Sequence, residues 1–389
     1  MKYRSCLTIL LCILFTGSVF SQSIEKTVGG NNAFAFELFK NVFDEKANVF
    51  LSPYSISSAL AMTYAGARNE TEKQMSQVVH FDLNQKLTHQ GFFEINSELE
   101  KYKLDSELKL SIANAIWKQK DSNFKKEFLD LNTKYYKTNI FTLNGAKPIN
   151  EWAAKNTENK ITEIVTDGDL SDAKMVLTNA IYFKGDWLNS FNEKETQKSM
   201  FKTANGKEIE TDMMFQVNQV GYFEDENNQV IDLPYKGETM SMTIILPKES
   251  NSISKLSAAL NVKLFTSYIK SLEEQEVNIY LPKFSFESEF HLESVLPIMG
   301  MVDAFYPGKA DFTGMANDVF IGGIIHKAVI EVNEKGSVAA AVTAVIIKTT
   351  SALKQDIFFN ADHPFLIVIR EKKTGSILFM GSVIEPKIY

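Results

Sequence analysis

Apolar and polar positions are distributed most unevenly near the C-terminal end of the chain. Residues 337–347, which follow Gly336, carry no charge, and they pass from small side chains to mostly β-branched ones. A continuous apolar run of this kind predicts a strand buried on both faces in the middle of a sheet. The next segment, residues 348–356, is polar and contains two lysines, which predicts an exposed loop.

Elsewhere the pattern predicts an early helical block and many later strands. Asn31 and Asn32 are predicted to cap a helix with apolar positions at helical spacing, and Ser52 and Pro53 are typical of a helix start. Further helices are predicted within residues 69–104 and over 149–161, and strands over 108–117, 175–187, 230–233, 241–247, 276–286 and 320–331. This order predicts a mixed α+β fold and not alternating βαβ units.

The N-terminus has the pattern of a secretory signal peptide. Two basic residues precede an apolar run at residues 7–15, and small residues follow as far as Ser21. The run is too short to span a bilayer, so we expect residues 1–21 to be a signal peptide cleaved near Ser21–Gln22. A transmembrane anchor is the alternative. The expected mature chain, residues 22–389, would be one domain, because the 19 glycines and 9 prolines are scattered and no repeat or linker appears.

Composition excludes several classes of function. Both cysteines lie within the signal peptide, so the mature chain would have no disulfide and no thiol nucleophile. Without the two basic residues of that peptide, 39 basic residues face 48 acidic ones, and the formal charge changes from −7 to −9. A negative chain with no basic block argues against a nucleic-acid surface.

The usual catalytic and metal-binding motifs are absent from the sequence. There is no Gly-x-Ser-x-Gly elbow, no His-Glu-x-x-His and no phosphate-binding loop, and the five histidines lack metal-ligand spacing. We therefore expect no enzyme activity, no cofactor and no metal. A secreted hydrolase whose Ser–His–Asp triad assembles only in the fold remains an alternative.

Several separate segments resemble the serpins. Near the C-terminus these are Glu334-Lys-Gly-Ser337 followed by small residues, Asp362-His-Pro-Phe365 and Leu378-Phe-Met-Gly381. Earlier ones are Asn48-Val-Phe-Leu-Ser-Pro-Tyr-Ser-Ile-Ser57 and Met175-Val-Leu-Thr-Asn-Ala-Ile-Tyr-Phe-Lys-Gly-Asp-Trp187. Asn159 departs from the pattern, since the family usually has Gly there, but Asn also tolerates the left-handed conformation. The resemblance implies a large mixed sheet, surrounding helices, further sheets and an exposed reactive-centre loop near the C-terminus.

The resemblance also implies which residues control the loop. In serpins a hinge leads into the loop, a polar shutter lies under the main sheet, and a breach marks where the loop enters it. The matching hinge residues are Glu334, Gly336, Ser337, Ala339, Ala340 and Ala341. The matching shutter residues are Ser52, Ser55, Asn179 and His326, and the breach residue is Trp187. On pattern alone, His326 is equally consistent with a hydrogen-bonded structural histidine, and Trp187 with core packing.

Counting seventeen residues from the hinge glutamate, as in inhibitory serpins, places the reactive bond at Thr350–Ser351. Positions up to Leu353 also fit, and Lys348 and Lys354 are rival cut sites for a trypsin-like protease. The resemblance implies that cleavage frees the segment from Ser337 onward to insert as a new strand. An alternating face of small and then branched residues, with no charge and no proline, suits that strand.

The resemblance thus predicts a secreted, monomeric inhibitor of serine proteases that acts as a suicide substrate, extracellular or, in a bacterial source, periplasmic. A small bait residue predicts elastase-like or subtilisin-like targets, with trypsin-like or chymotrypsin-like ones as alternatives. No nucleic-acid or membrane partner is expected. The other interpretation is a serpin-fold binding or carrier protein without inhibitory activity, although its hinge would then be expected to carry bulky, charged or proline residues.

Overall fold

The computed structural model describes residues 3–102, 107–138, 140–170, 173–248, 252–337 and 356–387. Side chains are described from residue 22 onward, with the exception of Ser337. Within these ranges, no helix is both long and apolar enough to cross a membrane.

The helices are mostly near the start of the chain. They are α1 (Tyr3–Val42), α2 (Pro53–Tyr64), α3 (Asn69–Val78), α4 (Gln85–Leu99), α5 (Lys126–Tyr136), α6 (Ala146–Asn156), α7 (Ile253–Ala259), α8 (Val262–Ser271) and α9 (Leu296–Met299). Ser52 caps α2 by accepting a hydrogen bond from the backbone N–H of Ser55, and every residue of that helix is buried. The α2 helix therefore lies in the middle of the core.

The strands of the described residues form two sheets. They are β1 (Val49–Leu51), β2 (Leu108–Lys118), β3 (Ile140–Thr142), β4 (Met175–Asp186), β5 (Gln197–Lys202), β6 (Glu208–Glu224), β7 (Asn228–Pro234), β8 (Met240–Pro247), β9 (Glu273–Pro282), β10 (Phe284–His291), β11 (Gly323–Val332), β12 (Gly336–Ser337), β13 (Ile357–Asn360), β14 (Phe365–Glu371) and β15 (Ile377–Val383). The larger sheet has the order β1-β15-β14-β8-β7-β6-β9-β13, and β5 pairs with β6. Its inner strands β8, β14 and β15 are buried along their whole length, as continuous apolar runs predict.

The six-stranded sheet has the order β10-β11-β4-β2-β3, and β12 also pairs with β4. Strands β11 and β4 are parallel, whereas β2 and β10 run antiparallel to their neighbours β4 and β11. One face of β4 belongs to the main core, and the other belongs to a second apolar cluster with Ile149 and Ala153 of α6. The six-stranded sheet is therefore enclosed on both faces around β4.

Two sequence predictions about these elements are wrong. Asn31 and Asn32 are not caps, because α1 continues through both residues. Instead their side-chain amides donate to the carbonyls of Ile377 and Gly375, which ties the helix to β15. The predicted strand 276–286 is two strands in different sheets, since the chain changes sheets after Pro282, which has no N–H for the ladder.

Other predictions about local structure are confirmed. The strands predicted at 108–117, 175–187 and 320–331 correspond to β2, β4 and β11 within a few residues. Asn159, just after α6, has φ 60, so it adopts the left-handed conformation predicted for it. The α6 helix itself spans Ala146–Asn156 and ends earlier than predicted.

Candidate functional site

The short strand β12 lies against the end of β4 that is nearest Trp187. Gly336 pairs with Asp186, and Ser337 pairs with Gly185, in antiparallel register. Gly336 has φ 140, and a Cβ there would overlap the carbonyl oxygen of Gly185, so both conformation and space require glycine. The hinge residues Gly336 and Ser337 are thus already part of the sheet, whereas the resemblance placed the segment from Ser337 onward outside it before cleavage.

The six-stranded sheet is closed along one part of β4 and open along another. Residues 323–328 of β11 pair in parallel with residues 176–181 of β4. Beyond this ladder, residues 329–332 of β11 keep their pairing with β10. Between the described parts of β11 and β12, residues 182–184 of β4 have no ladder partner on this side. Among the described residues, β4 and β11 therefore stop pairing directly below the hinge, and we call this unpaired stretch the wedge.

Trp187 closes the top of this wedge, and we call its surroundings the breach. Its ring is 1% exposed and stacks on Tyr235 with centroids 4.7 Å apart and an interplanar angle of 8°. Its indole N–H donates to the carbonyl of Asn333 at 3.0 Å, and its backbone N–H donates to the carbonyl of Lys335 at 2.8 Å. The tryptophan thus holds the chain on both sides of Glu334.

Glu334 is a buried carboxylate with a complete set of partners. It accepts a hydrogen bond from the Thr196 hydroxyl at 2.8 Å and pairs with Lys283 Nζ at 3.1 Å. Burial by itself would raise the pKa of Glu334. Its own backbone N–H, the Thr196 hydroxyl and the Lys283 ammonium outweigh burial and hold the pKa below its ordinary value. The carboxylate therefore stays charged and anchors the start of the hinge.

The predicted shutter residues meet in one hydrogen-bond network beneath the six-stranded sheet. The Ser52 backbone N–H donates to His326 Nε2 at 3.0 Å, and His326 Nδ1–H donates to Asn179 Oδ1. The Asn179 amide donates to Ser55 Oγ and to Asn114 Oδ1. Ser52, Ser55, Asn179 and His326 are fully buried. Because His326 and Asn179 are opposite each other on β11 and β4, their hydrogen bond spans the seam between these two strands.

Burial keeps His326 neutral. Desolvation lowers its pKa from the ordinary 6.5 to about 3. Since Nε2 accepts the Ser52 N–H, the single proton of the neutral ring must be on Nδ1, where Asn179 accepts it. A buried polar network of this kind is costly when only partly satisfied, so loss of one member affects all of them.

Sequence reasoning missed three residues of this region. Asn114 on β2 completes the shutter, and the only signal for it was an amide within the otherwise apolar strand 108–117. Lys283 and Tyr235 belong to the breach through Glu334 and Trp187. Neither has a sequence signal that separates it from an ordinary surface lysine or core tyrosine. The remaining predicted residues, Ala339, Ala340, Ala341, Lys348, Thr350, Ser351, Leu353 and Lys354, lie outside the described residues.

Within the described residues, no cluster of three or more His, Cys, Asp or Glu side chains could hold a metal ion. A cavity of about 260 Å³ lies between α4, β2 and the end of α5, and Asn114 and Trp152 are among its lining residues.

Comparison with known proteins agrees with this architecture. Residues 29–386 match the family model described as Serpin (serine protease inhibitor). The leukocyte elastase inhibitor of Xenopus laevis is 37% identical over 371 residues, which cover 91% of this chain and 97% of that protein. The native structure of tengpin, a thermophilic serpin, has a TM-score of 0.85 at 30% identity and covers 92% of this chain and 94% of tengpin.

Human thyroxine-binding globulin in complex with thyroxine also has a TM-score of 0.85, at 28% identity, and covers 94% of this chain and 100% of that one. The two sheets, the buried polar network between β4 and β11 and the glycine-dependent strand β12 agree with this match. The chain belongs to the serpin family.

Proposed function

We propose that this chain is a secreted inhibitor of serine proteases that is consumed in a single reaction, and that it is not itself an enzyme. The observation that carries the proposal is the pairing of Gly336 and Ser337 with the open end of β4. β12 is a two-residue strand at this position, and the residues that follow it would enter the wedge between β4 and β11 if the strand continued.

The register of β12 supports insertion of the whole small-residue segment. Continuing the register two residues at a time pairs Ala339 with Phe183, Ala341 with Ile181 and Thr343 with Asn179. These β4 residues are buried, so small side chains would meet bulky ones. Thr343 would meet the one polar position on this face, where Asn179 loses His326 as its partner when the sheet parts. These three side chains would thus each have a compatible neighbour on β4.

The proposed reaction starts as ordinary proteolysis. The protease serine oxygen attacks the carbonyl carbon of Thr350, the bond to Ser351 breaks, and the released amine takes a proton. Thr350 is then an ester on the protease. Insertion of residues 338–347 before water hydrolyses that ester would carry the protease along and trap it.

A small bait residue favours elastase-like or subtilisin-like proteases as targets. The relative from Xenopus laevis is a leukocyte elastase inhibitor, which supports an elastase-like target. If the cut falls at Lys348 or Lys354 the target would be trypsin-like, and if it falls at Leu353 it would be chymotrypsin-like. For a cut after Thr350, the released fragment should begin at Ser351.

Secretion is proposed from the N-terminal sequence. In α1, Ser23 and Val28 are buried against the rest of the molecule, so cleavage between Ser21 and Gln22 would leave this packing in place. We propose that the mature protein, residues 22–389, acts outside the cell as a monomer. This part of the proposal is tested by sequencing the N-terminus of the protein recovered from the culture medium.

A binding or carrier protein is the second candidate function. Thyroxine-binding globulin has the same fold and binds thyroxine, so the fold alone does not require inhibition. Gly336 and the small hinge residues after it favour inhibition, because a carrier has no need of a segment that can enter the sheet.

The experiment is a protease panel. The mature protein is incubated with elastase, subtilisin, trypsin and chymotrypsin, and the mixtures are boiled in detergent and separated by size. We expect a covalent complex with elastase or subtilisin and a fragment that begins at Ser351. Cleavage of the loop by all four enzymes without any complex would contradict inhibition and favour the carrier. A hydrolase would instead be labelled by a serine-directed covalent probe in the absence of protease.

A further inference from the structure

The dipeptide Asn-Gly occurs twice in the chain, at Asn144–Gly145 and at Asn205–Gly206. An asparagine before glycine is chemically unstable, because glycine has no Cβ to hinder attack of its backbone nitrogen on the preceding side chain. Both asparagines are exposed, and both glycines have positive φ, 78 for Gly145 and 82 for Gly206. The two sites share their local chemistry, so the hydrogen bonds around each of them decide which one reacts.

Asn205 lies in the turn between β5 and β6, where both reacting groups are held. Its side-chain oxygen accepts from the Thr203 hydroxyl at 2.7 Å and from the backbone N–H of Lys207 at 3.1 Å. The backbone N–H of Gly206, whose nitrogen would attack, donates to the carbonyl of Thr203 at 2.9 Å. These hydrogen bonds must break before the two groups can meet, which slows the reaction at Asn205.

Asn144 lies between β3 and α6, and its surroundings are different. Among the described residues, no hydrogen bond engages the side chain of Asn144 or the backbone N–H of Gly145. Gly145 is the N-cap of α6 and brings no side chain to the cap. Attack of the Gly145 nitrogen on the Asn144 side chain therefore breaks none of these contacts.

We propose that Asn144 is a site of spontaneous deamidation and isomerisation in the folded protein. The backbone nitrogen of Gly145 loses its proton to solvent base and attacks Cγ of Asn144. The bond between Cγ and Nδ2 then breaks, and Nδ2 takes up a proton from water and leaves as ammonia. A five-membered succinimide results. Water opens this ring at the Cγ carbonyl to give aspartate, or at the backbone carbonyl to give isoaspartate, so water is the only co-reactant.

The modification changes the start of α6. The N–H of Ala146, at the beginning of this helix, donates to Asp167 Oδ1 at 2.8 Å. On the other side, the N–H of Leu143 donates to the carbonyl of Lys118 at 2.7 Å. Either product adds a negative charge between these two anchored points, and isoaspartate also lengthens the backbone there by one bond. Both products therefore differ from the unmodified protein in charge.

The test ages the protein and measures both sites in the same sample. Residues 22–389 are incubated in mildly alkaline buffer and digested at intervals. Mass spectrometry of the peptides that contain residue 144 or 205 detects replacement of the amide by a carboxyl group, and chromatography separates aspartate from isoaspartate. A parallel sample in guanidinium chloride is the control, because unfolding removes the hydrogen bonds at both sites.

We expect Asn144 to convert at least about tenfold faster than Asn205 in the folded protein, because the hydrogen bonds around Asn205 persist. Aspartate and isoaspartate should both form at residue 144, and the modified protein should bind an anion exchanger more tightly. In guanidinium chloride the rates at the two sites should become similar.

Two variants separate the contributions of the two sites. Thr203→Ala removes one hydrogen bond to Asn205, so conversion at Asn205 should accelerate about three- to tenfold while conversion at Asn144 is unchanged. Asn144→Gln lengthens the side chain, which would have to close a six-membered ring. The more tightly bound species should then no longer accumulate on the anion exchanger.

Three results would overturn the assignment. If Asn205 converts as fast as Asn144 in the folded protein, the fold does not select between them. If Asn144 converts in guanidinium chloride and is stable in the folded protein, the fold protects it as firmly as Asn205. If Asn144 is preferred to the same degree in guanidinium chloride, the preference comes from local sequence and not from the structure.

Discussion

Within the shutter, one hydrogen bond, between His326 and Asn179, joins β11 to β4 across the seam. His326 accepts from Ser52 and donates to Asn179, and Asn179 in turn donates to Ser55 and Asn114. Burial lowers the pKa of His326 to about 3, because desolvation disfavours the charged imidazole. The network therefore couples sheet closure to a neutral histidine.

A second buried histidine responds to pH in the same direction. His89 on α4 contacts Tyr136, and desolvation lowers its pKa to about 4. Both histidines take up a proton on unfolding below about pH 6.5, so the stability they provide is complete above that pH and is lost as the pH falls. The loss is about 1.4 kcal/mol per pH unit for each histidine. His363, whose pKa is raised, works in the opposite direction and offsets part of it.

The substitution His89→Phe removes one of these protonation sites, so its contribution to the pH dependence of stability can be measured separately. From urea unfolding at pH 7.5 and 5.5, we expect the wild-type free energy of unfolding to fall with pH, and the variant's to fall by about 1.4 kcal/mol less. Phenylalanine fits the aromatic surroundings of His89, which include Tyr64 and Tyr136, so the fold should persist. An identical pH dependence in the two proteins would show that His89 is not buried neutral.

At the scale of single residues, the residues predicted for the shutter lie together, whereas the prediction for the breach named only one of the residues that meet there. Ser52, Ser55, Asn179 and His326 were predicted to act together from family resemblance, and the structure brings them into contact. Asn114 and Lys283 were missed because their partners are 65 and 51 residues away along the chain. Contacts across strands depend on register, which hydrophobic patterning alone does not determine.

Among the elements, long apolar runs were the most predictable feature. β2, β4 and β11 appear within a few residues of their predicted positions. β4 and most of β11 are buried on both faces, and such strands need apolar residues at nearly every position. The errors fall where tertiary context prevails over local preference. Asn31 and Asn32 are inside a helix because their amides bind β15 and the turn before it, and the predicted strand 276–286 divides where the chain passes from one sheet to the other.

The hinge strand β12 is the element with the clearest functional consequence. Its register predicts that Ala341 enters the sheet opposite Ile181, which is 1% exposed. Ala341→Arg would bring a charge into this apolar site with no partner, and removing such a charge from water costs several kcal/mol. Insertion should then stall, and the protease should complete hydrolysis and leave.

The measurement for this variant is the number of inhibitor molecules consumed per protease trapped. We expect Ala341→Arg to raise this number at least about fivefold, because hydrolysis outpaces insertion. Gln355→Arg is the matched control, since it adds the same side chain beyond the scissile bond and should leave the number unchanged. Wild-type stoichiometry in Ala341→Arg would mean that residue 341 does not enter the sheet.

As a whole molecule, the protein is proposed to be in a kinetically trapped state. Between the described parts of β11 and β12, the wedge leaves ladder positions of β4 open, in a sheet that is enclosed on both faces around β4. Filling it would add hydrogen bonds and bury the apolar residues 338–347, and the intact loop cannot complete this because both of its ends are attached. A native state of this kind persists because of a barrier and not because it is the most stable one.

Thermal unfolding before and after cleavage of the Thr350–Ser351 bond tests the account most directly. The protein is cut with a catalytic amount of a protease that does not trap, and the site of the cut is verified by mass spectrometry. Insertion of residues 338–347 between β4 and β11 predicts that the melting temperature rises by at least about 10 °C. An unchanged or lower melting temperature after cleavage at this bond would contradict the insertion mechanism.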